Sequence, residues 1–172
     1  LALAACAACG IEPQLAADAL SAFAGVDRRM TEMGRVNGAL IVDDYGHHPT
    51  EIRATLQALR ERYQPKRLLC VFQPHQHSRT RFLLDEFAAS FQNADETIVP
   101  DIYFVRDSEQ EKQRVSSADL VERINANGRR AVHLADFASI VDYLRDQVGD
   151  GDLVVTMGAG NVYEIGQELC HP

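Results

Sequence analysis

The 172-residue chain has no tryptophan, only four cysteines and no long apolar run. Each shortage excludes something. Cys6, Cys9, Cys70 and Cys170 are too few and too scattered for a disulfide scaffold, so the thiols read as reduced and the chain as cytoplasmic. The opening LALAACAACG breaks at Gly10, well short of the roughly 20 apolar residues a membrane span needs, and it lacks the basic start of a secretory signal. Positive charge is also scarce. Seventeen Lys and Arg stand against 25 Asp and Glu, a formal net charge of −8 with a pI near 5.2. A broad phosphate-binding face for nucleic acid is thereby excluded, whereas a local basic pocket for one anionic ligand is not. No internal repeat and no low-complexity segment occurs. What is present is the profile of a globular protein, 46% hydrophobic and 24% charged, long enough to bury roughly 70% of its unfolded surface.

The chain starts with Leu and goes straight into Ala-rich helix. Gly10 stops that helix, and Pro13 sits where a first helical turn tolerates it. Residues 13–23 place Leu15, Ala19, Leu20 and Phe23 on one face. Two short helices with no start signal are expected to be the tail of a preceding domain over residues 1–25, with Gly25 as the boundary and a second domain over 26–172.

From there strands and helices alternate. Asn37-Gly38 between two extended runs, Arg35 to Val42, is a strong hairpin signal. Ala39 to Val42 is continuously apolar, as a buried strand would be. Pro49 opens a helix with Ile52, Leu56, Leu59 and Tyr63 on one face. Strands are expected at 67–72, 96–99, 131–134 and 153–157, and helices at 80–91, 117–127, 136–148 and 161–169. Asp136 reads as an N-cap and Gly128 as a helix stop. This rhythm predicts an α/β fold: a doubly wound, mostly parallel, Rossmann-like sheet with an N-terminal β-hairpin element and helices on both faces.

In such sheets ligands gather beyond the carboxyl ends of the strands. Three loops qualify: DDYGHH (43–48), QPHQHSRTR (73–81) and GAGN (158–161). The first offers carboxylates for ribose hydroxyls or a metal, and imidazoles that can donate or accept. Helix capping would account for one of its polar residues, but not for Tyr45, His47 and His48 together. The second places His75, His77, Arg79 and Arg81 at a helix start, which suits a carboxylate or phosphate, although solvated charge on an exposed turn is an equal alternative. A metal could draw on Asp43, Asp44, His47, His48, His75 and His77, but the neighbouring arginines would repel a cation. Cys6-x-x-Cys9 has zinc-like spacing without a second pair, so buried small side chains explain it better. GAGNVY lacks the third glycine of a dinucleotide fingerprint and reads as a tight strand-to-helix turn, and no G-x-x-x-x-G-K-[ST] loop occurs in the chain.

DDYGHHPTEI after one apolar strand and VFQPHQHSRTR after the next resemble the C-terminal domain of the Mur ligases, in their L-alanine-adding branch. GVDRRM (25–30) and MGAGNVYEIG (157–166) extend the resemblance from Gly25 to Leu169, and the Ala-rich helices before it resemble the end of that family's central ATPase domain. The murein-peptide recycling branch shares the first motif but usually carries an EPRSNT-like stretch in place of QPHQHSRT. The resemblance implies an ATP-dependent amide ligase of peptidoglycan synthesis with UDP-N-acetylmuramate and L-alanine as substrates. ATP phosphorylates the muramyl carboxylate, and the amino group of alanine attacks the acyl phosphate. Mg2+ acts on the phosphates in the central domain, and the C-terminal domain closes over that site. By position, Arg29 and Asp44 match nucleotide-contacting residues, Tyr45 and His47 match residues near nucleotide and substrate, and His75 and Arg79 match groups that hold the alanine carboxylate.

Two departures stand out. Gln76 replaces an arginine often found after the His of QPH, and Met30 replaces a common phenylalanine. The phosphate-binding loop, the Mg2+ ligands and the muramyl-nucleotide domain implied by the resemblance are not among these residues, so the chain alone is expected to be inactive. A stand-alone nucleotide or amino-acid binding module and a small metal-dependent hydrolase are the alternatives from other classes.

Overall fold

The computed structural model describes residues 1–23 and 25–171. Ala24, within the expected first unit, and Pro172, at the end of the second, lie outside the described residues. The chain opens with α1 (Ala2–Ala8) and α2 (Pro13–Ser21). Glu12 caps α2 through its carboxylate, which accepts the Leu15 N–H at 2.8 Å. Of this pair only Ala16 is buried, while Leu15 and Phe23 are 65% and 62% exposed.

Next come β1 (Thr31–Val36), β2 (Ala39–Asp44), α3 (Pro49–Tyr63) and β3 (Leu68–Phe72). Asn37 and Gly38 both take positive φ, 50° and 87°, as the tight hairpin turn between β1 and β2 requires. Then follow α4 (His77–Phe82), α5 (Leu84–Ala88), β4 (Glu96–Val99), α6 (Glu109–Lys112), α7 (Ser117–Ala126), β5 (Arg130–His133), α8 (Phe137–Gln147), β6 (Leu153–Met157) and α9 (Tyr163–Cys170). Among the described residues six strands lie in the order β1-β2-β6-β3-β4-β5. There the β1–β2 pair is antiparallel and the other strand pairings are parallel. The expected doubly wound sheet with its hairpin edge is therefore present.

Side chains alternate between two cores, as a period of two demands. On one face Leu40, Val42, Cys70, Phe72 and Val155 meet Ile52, Leu56 and Leu59 of α3, Phe87 of α5 and Leu120 and Ile124 of α7. On the other, Ile41, Leu69, Val71, Ile98 and Val154 meet Ile140, Val141 and Leu144 of α8 and Ile165 and Leu169 of α9. All five residues of β3 and of β6 are buried, which explains why these strands read as continuous apolar runs.

Several expected boundaries move. The helix expected over 80–91 starts earlier, at His77, and breaks at Leu83 (φ −111°, ψ 22°) into α4 and α5. The two pieces serve different neighbours. His77 is buried beside Phe104 of the 101–107 segment, whereas Phe87 and, beyond α5, Phe91 each place a ring 5.4 Å from Phe72. The strand expected at 131–134 is shifted back by one residue, because pairing with β4 sets Arg130 opposite Glu96, where the two side chains form an ion pair at 3.0 Å. The last helix starts at Tyr163 rather than Asn161, since residues 158–161 form a run of bends that packs Gly158 and Gly160 against Gln73. Helix α6 was not expected, and four residues are too few to show a period.

Candidate functional site

Strands β2, β6 and β3 are neighbours, so the three polar loops leave the same edge of the sheet side by side. The loop after β2 divides its labour. His48 is the N-cap of α3: its Nδ1 accepts the Thr50 N–H at 3.3 Å. Glu51 accepts the N–H groups of His47 and His48 at 3.0 and 3.1 Å. The bond from His47 holds the Glu51 carboxyl below the usual carboxylate range. Capping thus explains His48, while the His47 Nδ1 lies 3.2 Å from the Tyr45 carbonyl and 3.6 Å from the Glu51 carboxylate. The Tyr45 ring is exposed and meets His47 edge-on with centroids 5.5 Å apart. The His47 ring in turn lies 6.3 Å from that of His75, on the next loop.

Asp43 and Asp44 are both buried, at 2% and 3% exposure. Asp43 accepts Arg28 Nε at 2.9 Å and the Thr156 hydroxyl at 2.7 Å. Asp44 Oδ1 accepts the Gly46 N–H at 2.8 Å and the Thr55 hydroxyl at 3.4 Å, and Oδ2 accepts the Met30 N–H at 3.0 Å. Both carboxylates therefore serve the loop itself, and Asp44 is the candidate least open to a ligand in this conformation.

After β3 the chain makes a strained turn. Gln76 has φ 70° and ψ 129°, an unfavourable region for a residue with a Cβ. It is held by its N–H, which donates to the Tyr103 carbonyl at 3.1 Å, and by its own carbonyl, which accepts from Thr80 N–H and hydroxyl. The His75 ring stacks on Tyr103 at 5.6 Å and 19°. Burial, then the charges of Arg79, His47 and Arg106, push the His75 pKa below its ordinary value, so its ring is a neutral donor or acceptor. Burial likewise lowers His77, whose Nδ1 has no hydrogen-bond partner among the described residues. The start of α4 is less open than its sequence suggests, because Asp107 takes the Ser78 N–H at 2.9 Å. Arg81 is also occupied, bonded to Glu111 of α6 at 2.8 and 3.3 Å. Arg79 forms no ion pair among the described residues, and neither do Arg29 and Arg106. These three guanidinium groups stand without an ion-pair partner among the described residues although the chain carries a formal net charge of −8.

The GAGN loop is shaped by close backbone approach. A Cβ on Gly158 (φ 150°) would lie 2.8 Å from the Gln73 carbonyl, and one on Gly160 would lie 2.7 Å from Gln73 Oε1 and 3.0 Å from the Tyr103 ring. Among the described residues no three His, Cys, Asp or Glu side chains converge as a metal ion would need. A cavity of about 440 Å³ adjoins the edge at Arg29 and Met30.

The structure thus brings the Tyr45, His47 and His75 rings together, with Arg29 beside Tyr45, its guanidinium 5.9 Å from the ring centroid, and it places Arg79 on α4, which begins two residues after His75. Sequence reasoning missed Arg28, Tyr103 and Arg106. Arg28 was detectable only as half of an Arg-Arg pair; Tyr103 and Arg106 lie on a loop after β4, where no motif marked them.

Residues 28–160 match the model of the Mur ligase, glutamate ligase domain. The chain is 46% identical over 160 residues to the UDP-N-acetylmuramate–L-alanine ligase of Caldanaerobacter subterraneus subsp. tengcongensis, covering 93% of this chain and 34% of that protein. It is 44% identical over 165 residues to the ligase of the same name from Acetivibrio thermocellus, covering 96% of this chain and again 34% of that protein. The chain therefore spans about a third of the length of the curated relatives it matches. Among solved structures, the UDP-N-acetylmuramate–alanine ligase of Thermotoga maritima shares the fold with a TM-score of 0.76 at 23% identity, over 97% of this chain and 34% of that one. A murein peptide ligase from Psychrobacter arcticus gives 0.66 at 28% identity, over the same shares. With its sheet order, its loop motifs and this match over most of its length, the chain belongs to the Mur ligase family.

Proposed function

We propose that this chain is the amino-acid- and nucleotide-contacting C-terminal domain, over residues 26–172, of an ATP-dependent ligase that joins L-alanine to UDP-N-acetylmuramate, with residues 1–25 as the tail of the preceding domain. One observation carries the reading: the His47 and His75 rings, from two different loops, stand 6.3 Å apart at one edge of the sheet, with Tyr45 edge-on to His47 and Arg79 on the helix that begins two residues after His75. This is the chemistry an amino-acid carboxylate needs, a charged fork with a neighbouring hydrogen-bond group. Arg29, exposed beside Tyr45, suits a nucleotide phosphate. Asp44 would reach a ribose hydroxyl only if its bond to the Met30 N–H were shared or released.

In the reaction the γ-phosphoryl group of ATP passes to the muramyl carboxylate, giving an acyl phosphate and ADP. The free amine of alanine then attacks the acyl carbon, forming the amide and releasing phosphate and a proton. His75 and Arg79 orient the alanine, and closure of this domain over the rest of the ligase excludes water from the acyl phosphate. Mg2+ would neutralise charge on the phosphates; among the described residues no three His, Cys, Asp or Glu side chains converge to hold it.

QPHQHSRT after β3 favours the alanine-adding branch over the recycling branch, which usually carries an EPRSNT-like stretch there. In the full-length protein, Arg79→Ala should raise the KM for L-alanine by roughly 10- to 100-fold, the loss of one charge-assisted contact, with the KM for ATP little changed. An unaltered alanine dependence would remove Arg79 from the amino-acid site.

A further inference from the structure

The residues on either side of the exposed Arg29 both hold left-handed backbone, Arg28 at φ 58° and Met30 at φ 50°. Neither residue type favours that region, and such strain persists only where the surroundings over-determine it. Here they do. The Arg28 carbonyl accepts the Tyr45 N–H at 2.7 Å. Its guanidinium donates Nε to Asp43 at 2.9 Å and its two terminal nitrogens to the carbonyls of Gly160 (3.1 Å) and Gly158 (2.7 Å). The same guanidinium lies over the rings of both Tyr45 and Tyr163, at 5.1 and 4.7 Å. On the other side, the Met30 N–H is held by Asp44 at 3.0 Å. Asp43 is anchored in its turn by the Thr156 hydroxyl on β6. The two adjacent carboxylates at the end of β2 therefore each grip one neighbour of Arg29.

We propose that Arg28 is a positioning residue. Anchored on Asp43 and paired with the Asp44–Met30 bond, it forms a two-point clamp that aims Arg29 at the ligand and ties the GAGN loop to the Tyr45 loop. With each of its three nitrogens donating to a group within the fold, Arg28 acts through Arg29 rather than as a ligand contact of its own. A lysine cannot replace it, because one ammonium lacks the planar fork that spans a carboxylate and two carbonyls while stacking between two rings.

The inference rests on the reading of Arg29 as a nucleotide contact, and a double-mutant cycle in the full-length protein separates the two. Arg28→Lys, Arg29→Ala and the double variant are compared in steady-state kinetics with ATP and L-alanine varied in turn, alongside thermal unfolding. Arg28→Lys should lower kcat/KM for ATP by about tenfold, leave the KM for alanine unchanged, and cost nothing further when added to Arg29→Ala. Asp43→Asn should repeat this pattern through the other end of the clamp, which covers the case of an unfolded Arg28 variant. If the losses of Arg28→Lys and Arg29→Ala simply multiply, or if Arg28→Lys matches the wild type in ATP dependence, the clamp is overturned while the reading of Arg29 stands. If Arg29→Ala leaves ATP kinetics intact, that reading falls and the clamp, having nothing to present, falls with it.

Discussion

At the scale of single residues, charge at the sheet edge is divided between groups bound into the loops and groups without an ion-pair partner. Asp43, Asp44, His48, Arg28 and Arg81 belong to the first set; Arg29 and Arg79, proposed above as ligand contacts, pair with no carboxylate among the described residues. The division could not be read from the sequence, where Asp43 and Asp44, or Arg79 and Arg81, look equivalent. It depends on partners distant along the chain, such as Thr156 for Asp43 and Glu111 for Arg81. Asp44→Ala should therefore cost stability as well as ATP use, by roughly 1–3 kcal/mol, because it strands the buried N–H of Gly46 and that of Met30; a denaturant titration measures this. The histidines give a pH signature. Burial holds His77 below its ordinary 6.5, with the Asp107, Glu109 and Asp101 charges opposing and Lys112 adding to the effect. As pH falls through 6.5 the unfolded chain takes up the proton first, so stability is lost on acidification across this window. His75 acts in the same direction. Glu51, ordinarily 4.5 and lowered in the fold, contributes stability that disappears only at more acid pH. The melting temperature should drop between pH 7 and pH 5.5, and His77→Phe should shrink that drop.

At the scale of elements, close approach decides what substitutions are tolerated. Gly158→Ala should destabilise the chain by roughly 1–3 kcal/mol, the usual cost of forcing atoms into a packed site, because the new Cβ would meet the Gln73 carbonyl at 2.8 Å. Reading GAGN as a tight strand-to-helix turn was correct about its compactness, but the need for glycine comes from Gln73 on a different loop. The strands and α3 were legible because period and apolar runs are local properties, and β4 and β6 fall where those runs lie. The break at Leu83 was not, since the α4–α5 stretch carries one continuous apolar face and the division arises from the 101–107 segment packed beside His77. Helix α6 owes its place to Glu111 meeting Arg81, a pairing 30 residues apart. Within α3, Leu56 is fully buried, and Leu56→Ala should cost roughly 2–5 kcal/mol.

At the scale of the whole molecule, the loops at the edge of β2, β6 and β3 leave Tyr45, Arg29 and Arg106 exposed. Such exposure suits a domain that completes a site by closing over another, and an acid–amine ligation needs such closure to keep water from the acyl phosphate. The chain by itself should show no alanine-dependent phosphate release. No helix among the described residues is long and apolar enough to cross a membrane. Family membership was legible because DDYGHHPTEI and QPHQHSRTR are two short, specific runs at the ends of β2 and β3. The most direct measurement is phosphate release by the full-length protein given ATP, Mg2+ and UDP-N-acetylmuramate, with either L-alanine or L-alanyl-γ-D-glutamyl-meso-diaminopimelate as the amine. Release that depends on L-alanine and not on the tripeptide is predicted. Release that depends on the tripeptide alone would contradict the assignment of His75 and Arg79 to an alanine carboxylate and place the chain in the recycling branch.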